Sequence, residues 1–100
     1  MDFKTQVYNV LPLIPKGKVI TYGQLAKMIN NPKAYRAVGN ALHINKDPIN
    51  YPCYKVVNSN GELAKNFALG IEKQKQSLEN DGIVVDNYKV DLNKYQWRPQ

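Results

Sequence analysis

The 100-residue chain has one cysteine, Cys53, and one histidine, His43. A lone cysteine excludes an internal disulfide, and no Cys/His cluster has metal-ligand spacing. No apolar run approaches the roughly 18 residues of a membrane span. The amino-terminal stretch MDFKTQVYNV lacks a basic flank followed by an apolar core, so no signal peptide is read there. Internal repeats, low-complexity tracts and Gly/Ser linkers are also missing. These absences predict a cytosolic protein without metal, cofactor or membrane partner. The length predicts one domain, residues 1–100, with one modest core.

Acid is scarce in the first half. Residues 1–55 carry seven lysines and Arg36 against Asp2 and Asp47, so the whole net charge of +6 sits there. The second half is balanced. A basic half of a small domain is an electrostatic footprint for a polyanion, or equally a solvated lysine surface.

Phe3, Val7, Val10, Leu11 and Ile14 recur near helical spacing behind Asp2, which predicts a helix over 2–14 that ends at Pro15 and Gly17. The run KVITY predicts a brief strand. Thr21 opens a second helix, with Gln24 at capping-box spacing. After the Asn-Pro turn signal, a third helix is predicted over about 35–44, with Ala34, Val38, Ala41 and Leu42 facing inward. Two helices joined by a short turn inside the basic half suggest a helix-turn-helix, the third helix reading DNA. Its small residues Ala37 and Gly39 would let a groove approach closely, or serve helix packing. The apolar run INYPCYKVV, the turn NSNG and the segment ELAKNFAL predict a small β hairpin, a wing. A last helix is predicted over about 69–81, stopped by Gly82. The tail places Tyr88, Leu92, Tyr95 and Trp97 against the body. The fold class is therefore mainly α with a small β hairpin, a winged helix-turn-helix.

Four segments in order, GKVITYGQLAKMI, YRAVGNALHIN, YPCYKVV and LGIEKQKQSLENDGI, resemble the C-terminal domain of the O6-alkylguanine-DNA alkyltransferases. The resemblance covers about residues 3–83. The tail, 84–100, is similar to that of the short alkyltransferase-like proteins. The resemblance implies a monomeric domain that enters the minor groove of double-stranded DNA and flips an alkylated guanine. It implies a DNA-associated location, in a nucleoid or a nucleus, and possible downstream repair proteins as partners.

The family's reactive cysteine lies in a Pro-Cys-His-Arg-Val motif, and Cys53 occupies its place. Tyr54 stands where that histidine would be, and Lys55 replaces the arginine. Asn45 matches the asparagine of the family's hydrogen-bond network, and Asp81 the glutamate, one carbon shorter. By the same resemblance Arg36 fills the gap left by the base, a task suited to a planar cation. Tyr22 stands beside the flipped nucleotide and donates a proton to the guanine ring. Val56 offers its backbone carbonyl to the guanine amino group, and Phe67 and Ala68 close the pocket. Ala37, Gly39, Asn40, Lys33 and Lys46 would meet DNA, the lysines at phosphates. His43 is read as a phosphate contact or an exposed side chain.

The thiolate, not the thiol, is the nucleophile, and a free cysteine is only a few per cent ionised at neutral pH. A neutral phenol at Tyr54 is a poor general base, and losing a positioned base costs roughly 10²–10⁴-fold. Three readings follow. The first is a single-turnover transferase that moves the alkyl group to Cys53, slowed by Tyr54. The second is a non-catalytic protein that marks the lesion for another repair pathway; such relatives often replace the cysteine, which remains here. The third is a winged-helix regulator, which would need polar side chains aimed at base edges.

Overall fold

The computed structural model describes residues 2–65 and 69–99. Helix α1 (Phe3–Val10) is capped by Asp2, whose carboxylate accepts from the Thr5 N–H at 2.7 Å. It gives way to a 3₁₀ turn, Leu11–Leu13, at Pro12, earlier than the apolar spacing predicts, because proline cannot donate into the helix ladder. Strand β1 (Ile20–Thr21) runs straight into α2 (Tyr22–Met28). The capping box forms as expected. The Gln24 N–H donates to the Thr21 hydroxyl, and Gln24 Oε1 accepts from the Thr21 N–H. Helix α3 (Tyr35–His43) turns Val38, Ala41 and Leu42 inward, onto α1 and α2. These elements are the predicted helix-turn-helix.

Strand β2 (Val56–Val57) pairs parallel with β1, Ile20 opposite Val56 and Thr21 opposite Val57. The expected hairpin is therefore corrected. The NSNG turn does reverse the chain, with the Asn58 N–H donating to the Glu62 carbonyl at 3.1 Å. The returning segment, however, meets the tail: Glu62 bridges Lys89 antiparallel. A two-residue strand satisfies its backbone wherever a neighbour lies, and β1 is the neighbour here.

Side chains on a strand alternate between faces, and the short β ribbon divides the interior accordingly. Ile20 and Val56 point into a first cluster with Val7, Leu11, Leu25, Val38, Leu42 and Cys53. Val19 and Val57 point into a second, with Leu63, Leu78, Ile83, Val90 and Tyr95. Each fully buried Leu or Ile contributes about 2 kcal/mol.

Helix α4 (Ile71–Asn80) covers the second cluster, and the short α5 (Leu92–Tyr95) returns the tail to it. Sequence reasoning left α4 a thin stripe of Ile71 and Leu78. The gap is filled by Gln74, which has no exposed surface. Its Oε1 accepts from the Ala64 N–H at 2.8 Å, and its Nε2 donates to the carbonyls of Tyr54 and Val56, both at 3.1 Å. The tail is stitched down by backbone bonds. The Val19 N–H donates to the Tyr95 carbonyl at 2.9 Å, and the Trp97 N–H to the Val19 carbonyl at 2.7 Å. Gly61 lets the tail come close. Its φ is +82°, and a Cβ there would lie 2.2 Å from the Val90 carbonyl oxygen. Tyr95 is buried and Trp97 packs on the first cluster, as expected of the tail aromatics, but Tyr88 stays exposed.

Candidate functional site: a thiol cleft beside an exposed helix face

With Val38, Ala41 and Leu42 buried, helical spacing turns Arg36, Ala37, Asn40 and His43 outward, and all four are exposed. Lys33 and Lys46 are exposed just before and after α3. Three of the eight cations of the basic half, Lys33, Arg36 and Lys46, thus lie on or beside one helix. Gly39 lies toward Tyr22: a Cβ on it would be 4.0 Å from the Tyr22 ring. Tyr22, the first residue of α2, is half-buried, and burial is the main reason its phenol is pushed above its usual range.

Residues of α3 help to line a cleft of about 680 Å³ that also takes in Cys53 and Val56. From the first half of the chain Tyr22, Gly39, Asn40 and His43 line it. From the second half come Asn58, Glu62, Leu63, Lys65 and Ile71, with Asn87 and Tyr88 from the tail. Cys53 opens a 3₁₀ turn, Cys53–Lys55, and is 3% exposed. Burial pushes its thiol above the usual range. The Asn45 amide and the residue's own backbone N–H pull the other way without prevailing.

The neighbours of Cys53 face elsewhere. Tyr54 reaches the end of α4, where its hydroxyl donates to Asp81 Oδ2 at 2.6 Å. Burial first, then the hydrogen bond and the charge of Asp81, drive the phenol far above its usual range. Lys55 is buried and donates to the Ile14 carbonyl at 2.8 Å, its ammonium 5.9 Å from the Tyr54 ring centroid. Burial lowers its pKa. Among the described residues, no cation figures in the influences on the Cys53 thiol.

Asn45 is buried at the end of α3. Its Nδ2 donates to the Tyr51 carbonyl at 2.8 Å, and its Oδ1 accepts from the Asp47 N–H at 2.9 Å. It thus shapes the loop that delivers Cys53. The Val56 carbonyl already accepts from Gln74, which leaves it one lone pair. Phe67 and Ala68 lie outside the described residues. Among the described residues no three His, Cys, Asp or Glu side chains gather as metal ligands. No helix is long and apolar enough to cross a membrane.

The structure therefore brings Cys53, Tyr22, Val56, Gly39 and Asn40 to one cleft and joins Tyr54 to Asp81 beside it. Sequence reasoning missed Gln74, Asn58, Glu62 and Tyr88. For Gln74 a signal existed: it sits three residues after Ile71 and four before Leu78, a polar residue on an apolar stripe. The tail residues carried no signal, because their place depends on long-range backbone pairing.

Relatives align with this arrangement. A DNA base-flipping protein of Vibrio parahaemolyticus is 41% identical over 99 residues, with 98% of both chains covered. A bifunctional methyltransferase/endonuclease of Picrophilus torridus is 42% identical over 97 residues. That match takes in 97% of this chain and 32% of that protein, so the chain spans about a third of that relative's length. Among solved structures, Schizosaccharomyces pombe Atl1 in complex with damaged DNA containing O6-carboxymethylguanine superposes with a TM-score of 0.90. It shares 35% identity, covering 97% of this chain and 95% of that one. The family model for the DNA binding domain of 6-O-methylguanine DNA methyltransferase matches residues 2–83. The chain belongs to this DNA-binding domain family of the 6-O-methylguanine DNA methyltransferases.

Proposed function

We propose that this protein binds duplex DNA along the exposed face of α3, takes an O6-alkylguanine out of the stack, and holds it in the cleft over Cys53 as a lesion-recognition protein. The observation that carries this reading is the state of the site: a cleft lined by the thiol, whose neighbouring phenol is locked onto Asp81. The cleft suits a flipped base, and the chemistry beside it does not suit a fast nucleophile. A buried thiol with a raised pKa is almost wholly protonated at neutral pH. Two relatives covered over nearly their whole length bear names or bound DNA of this kind.

In this reading Arg36 refills the stack, and Lys33 and Lys46 meet phosphates, with Ala37, Gly39 and Asn40 beside them. Tyr22 lines the path of the flipped nucleotide, and Val56 offers its remaining lone pair to the base. Asn45 positions the loop before Cys53. The protein acts as one domain, the tail completing the body rather than standing apart.

A second reading is favoured by Cys53 itself, which lies in the cleft wall. In slow transfer the sulfur bonds to the alkyl carbon as the carbon–O6 bond breaks. The bonding pair goes to O6, and the thiol proton ends on the guanine, so no co-reactant is required. Each molecule would react once.

Intact mass separates the two. The protein is incubated with a duplex bearing O6-methylguanine, and binding is followed in parallel with an undamaged duplex. Lesion-selective binding without a mass change supports recognition. A gain of one methylene group mapped to Cys53 establishes transfer. Equal affinity for both duplexes, with no mass gain, sinks both readings.

A further inference from the structure

Resting on the lesion-binding reading above, we infer that Tyr88, supplied by the tail beyond the region matched by the family model, is a specificity-determining wall of the cleft that contacts O6 substituents longer than methyl.

Tyr88 is held in an unusual way. The Asp86 N–H donates to the Lys89 carbonyl at 3.0 Å and the Lys89 N–H to the Asp86 carbonyl at 3.1 Å, which makes Asn87 and Tyr88 a two-residue hairpin turn. Both have positive φ, +54° and +59°, as a type I′ turn requires. Asn suits the first position and Gly the second. A bulky aromatic with positive φ is a genuine outlier. Such strain persists only where the surroundings over-determine it, and it concentrates at ligand clamps.

The surroundings do so here. The Tyr88 hydroxyl donates to Glu72, and the Lys75 ammonium sits 5.4 Å from the ring centroid, both on α4. The hydroxyl is thereby engaged, and what remains for the cleft is ring surface. Tyr88 is 39% exposed, and it lines the same cleft as Cys53, Tyr22, Gly39 and His43.

The size of the cleft gives this wall something to touch. Its 680 Å³ falls within the roughly 300–1,000 Å³ of pockets that accept drug-sized ligands. A purine with one methyl group needs less. With the alkyl carbon at Cys53, a longer substituent continues into the space beyond the thiol. Leu63, Ile71 and the Tyr88 ring give the cleft lining apolar and aromatic surface for an apolar substituent, beside the polar Asn58, Glu62, Lys65 and Asn87.

The experiment compares affinities for duplexes bearing O6-benzylguanine, O6-methylguanine and guanine. It uses the full chain and the variants Tyr88→Gly and Tyr88→Phe. Glycine removes the ring while fitting the positive φ, so the turn survives; the thermal midpoint verifies this. The ratio of benzyl to methyl affinity is expected to fall about fivefold in Tyr88→Gly, the scale of one aromatic contact. Tyr88→Phe, which keeps the ring and loses the bond to Glu72, should restore the ratio. If Tyr88→Gly weakens both lesions equally, or leaves the ratio where it was, Tyr88 only staples the hairpin to α4 and the inference is overturned. If the unmodified protein does not prefer either lesion to guanine, the lesion-binding reading fails and this inference falls with it.

Discussion

Tyr54, one residue along the chain from Cys53, donates a hydrogen bond from its hydroxyl to Asp81 Oδ2 at 2.6 Å. A phenol so engaged, buried and next to a carboxylate, stays neutral. It has no affinity for the thiol's proton. Tyr54→His would place an imidazole of ordinary pKa near 6.5 within the same frame. Alkyl transfer to Cys53 should then accelerate by at least about 10²-fold, the lower end of what a positioned base supplies. Intact mass against time on an O6-methylguanine duplex reads this directly.

Removing the phenol hydroxyl tests the structural side of the same bond. Tyr54→Phe should lower stability by about 1 kcal/mol, since half-buried Asp81 can still turn to water. Urea unfolding measures the loss, and a loss above about 3 kcal/mol would contradict the view that Asp81 remains hydrated.

The thiol makes a pH prediction. A group whose folded pKa lies above its unfolded value holds its proton more tightly when folded. Its contribution to stability is complete below the unfolded thiol's pKa of about 8.5 and is lost as pH rises through the folded value. Tyr54 adds the same sign at higher pH. The urea midpoint should therefore hold steady from about pH 7 to 8 and decline beyond about pH 9. Over the same range, alkylation of Cys53 by iodoacetamide should keep accelerating past the point where a free thiol levels off. A plateau near pH 8.5 would show an ordinary thiol.

Arg36 is exposed on α3 and available to DNA. Arg36→Ala should weaken binding to O6-methylguanine duplex about tenfold more than binding to undamaged duplex, because only the flipped state leaves a gap to refill. Fluorescence anisotropy on both duplexes decides it. Equal losses, with a salt slope reduced by about one, would make Arg36 a phosphate contact.

Gln74 joins Ala64, Tyr54 and Val56 from within the second half of the molecule. Gln74→Ala should cost about 2–4 kcal/mol in urea unfolding, from the cavity and the orphaned backbone groups together. A cost below about 1 kcal/mol would mean that water replaces the amide.

What was legible in the sequence followed from local rules. The Thr21 and Gln24 capping box, the apolar spacing of α3 and the stop at Gly82 each depend on residues within a few positions of one another, and each is found. The order of four segments identified the family and pointed to Cys53, Tyr22 and Arg36. What failed was non-local. Val56 and Val57 form a strand whichever neighbour they pair with, so nothing nearby distinguishes a hairpin from the parallel pair with Ile20 and Thr21. Tyr88 looked like one more packing aromatic, because its positive φ and its place on α4 arise only after the tail has returned.

The two backbone bonds that tie Val19 to Tyr95 and Trp97 bear on how the molecule is made. A ribosome delivers Val19 long before Trp97. The helices that carry Arg36 can begin to pack while synthesis continues, since their contacts are close in sequence. The second cluster cannot close until the segment through Tyr95 has emerged, because Val19 waits for a partner more than seventy residues away. A nascent chain stalled ahead of that segment would present its thiol turn and α3 on an unfinished body, so delivery of that segment becomes the last step in building the cleft.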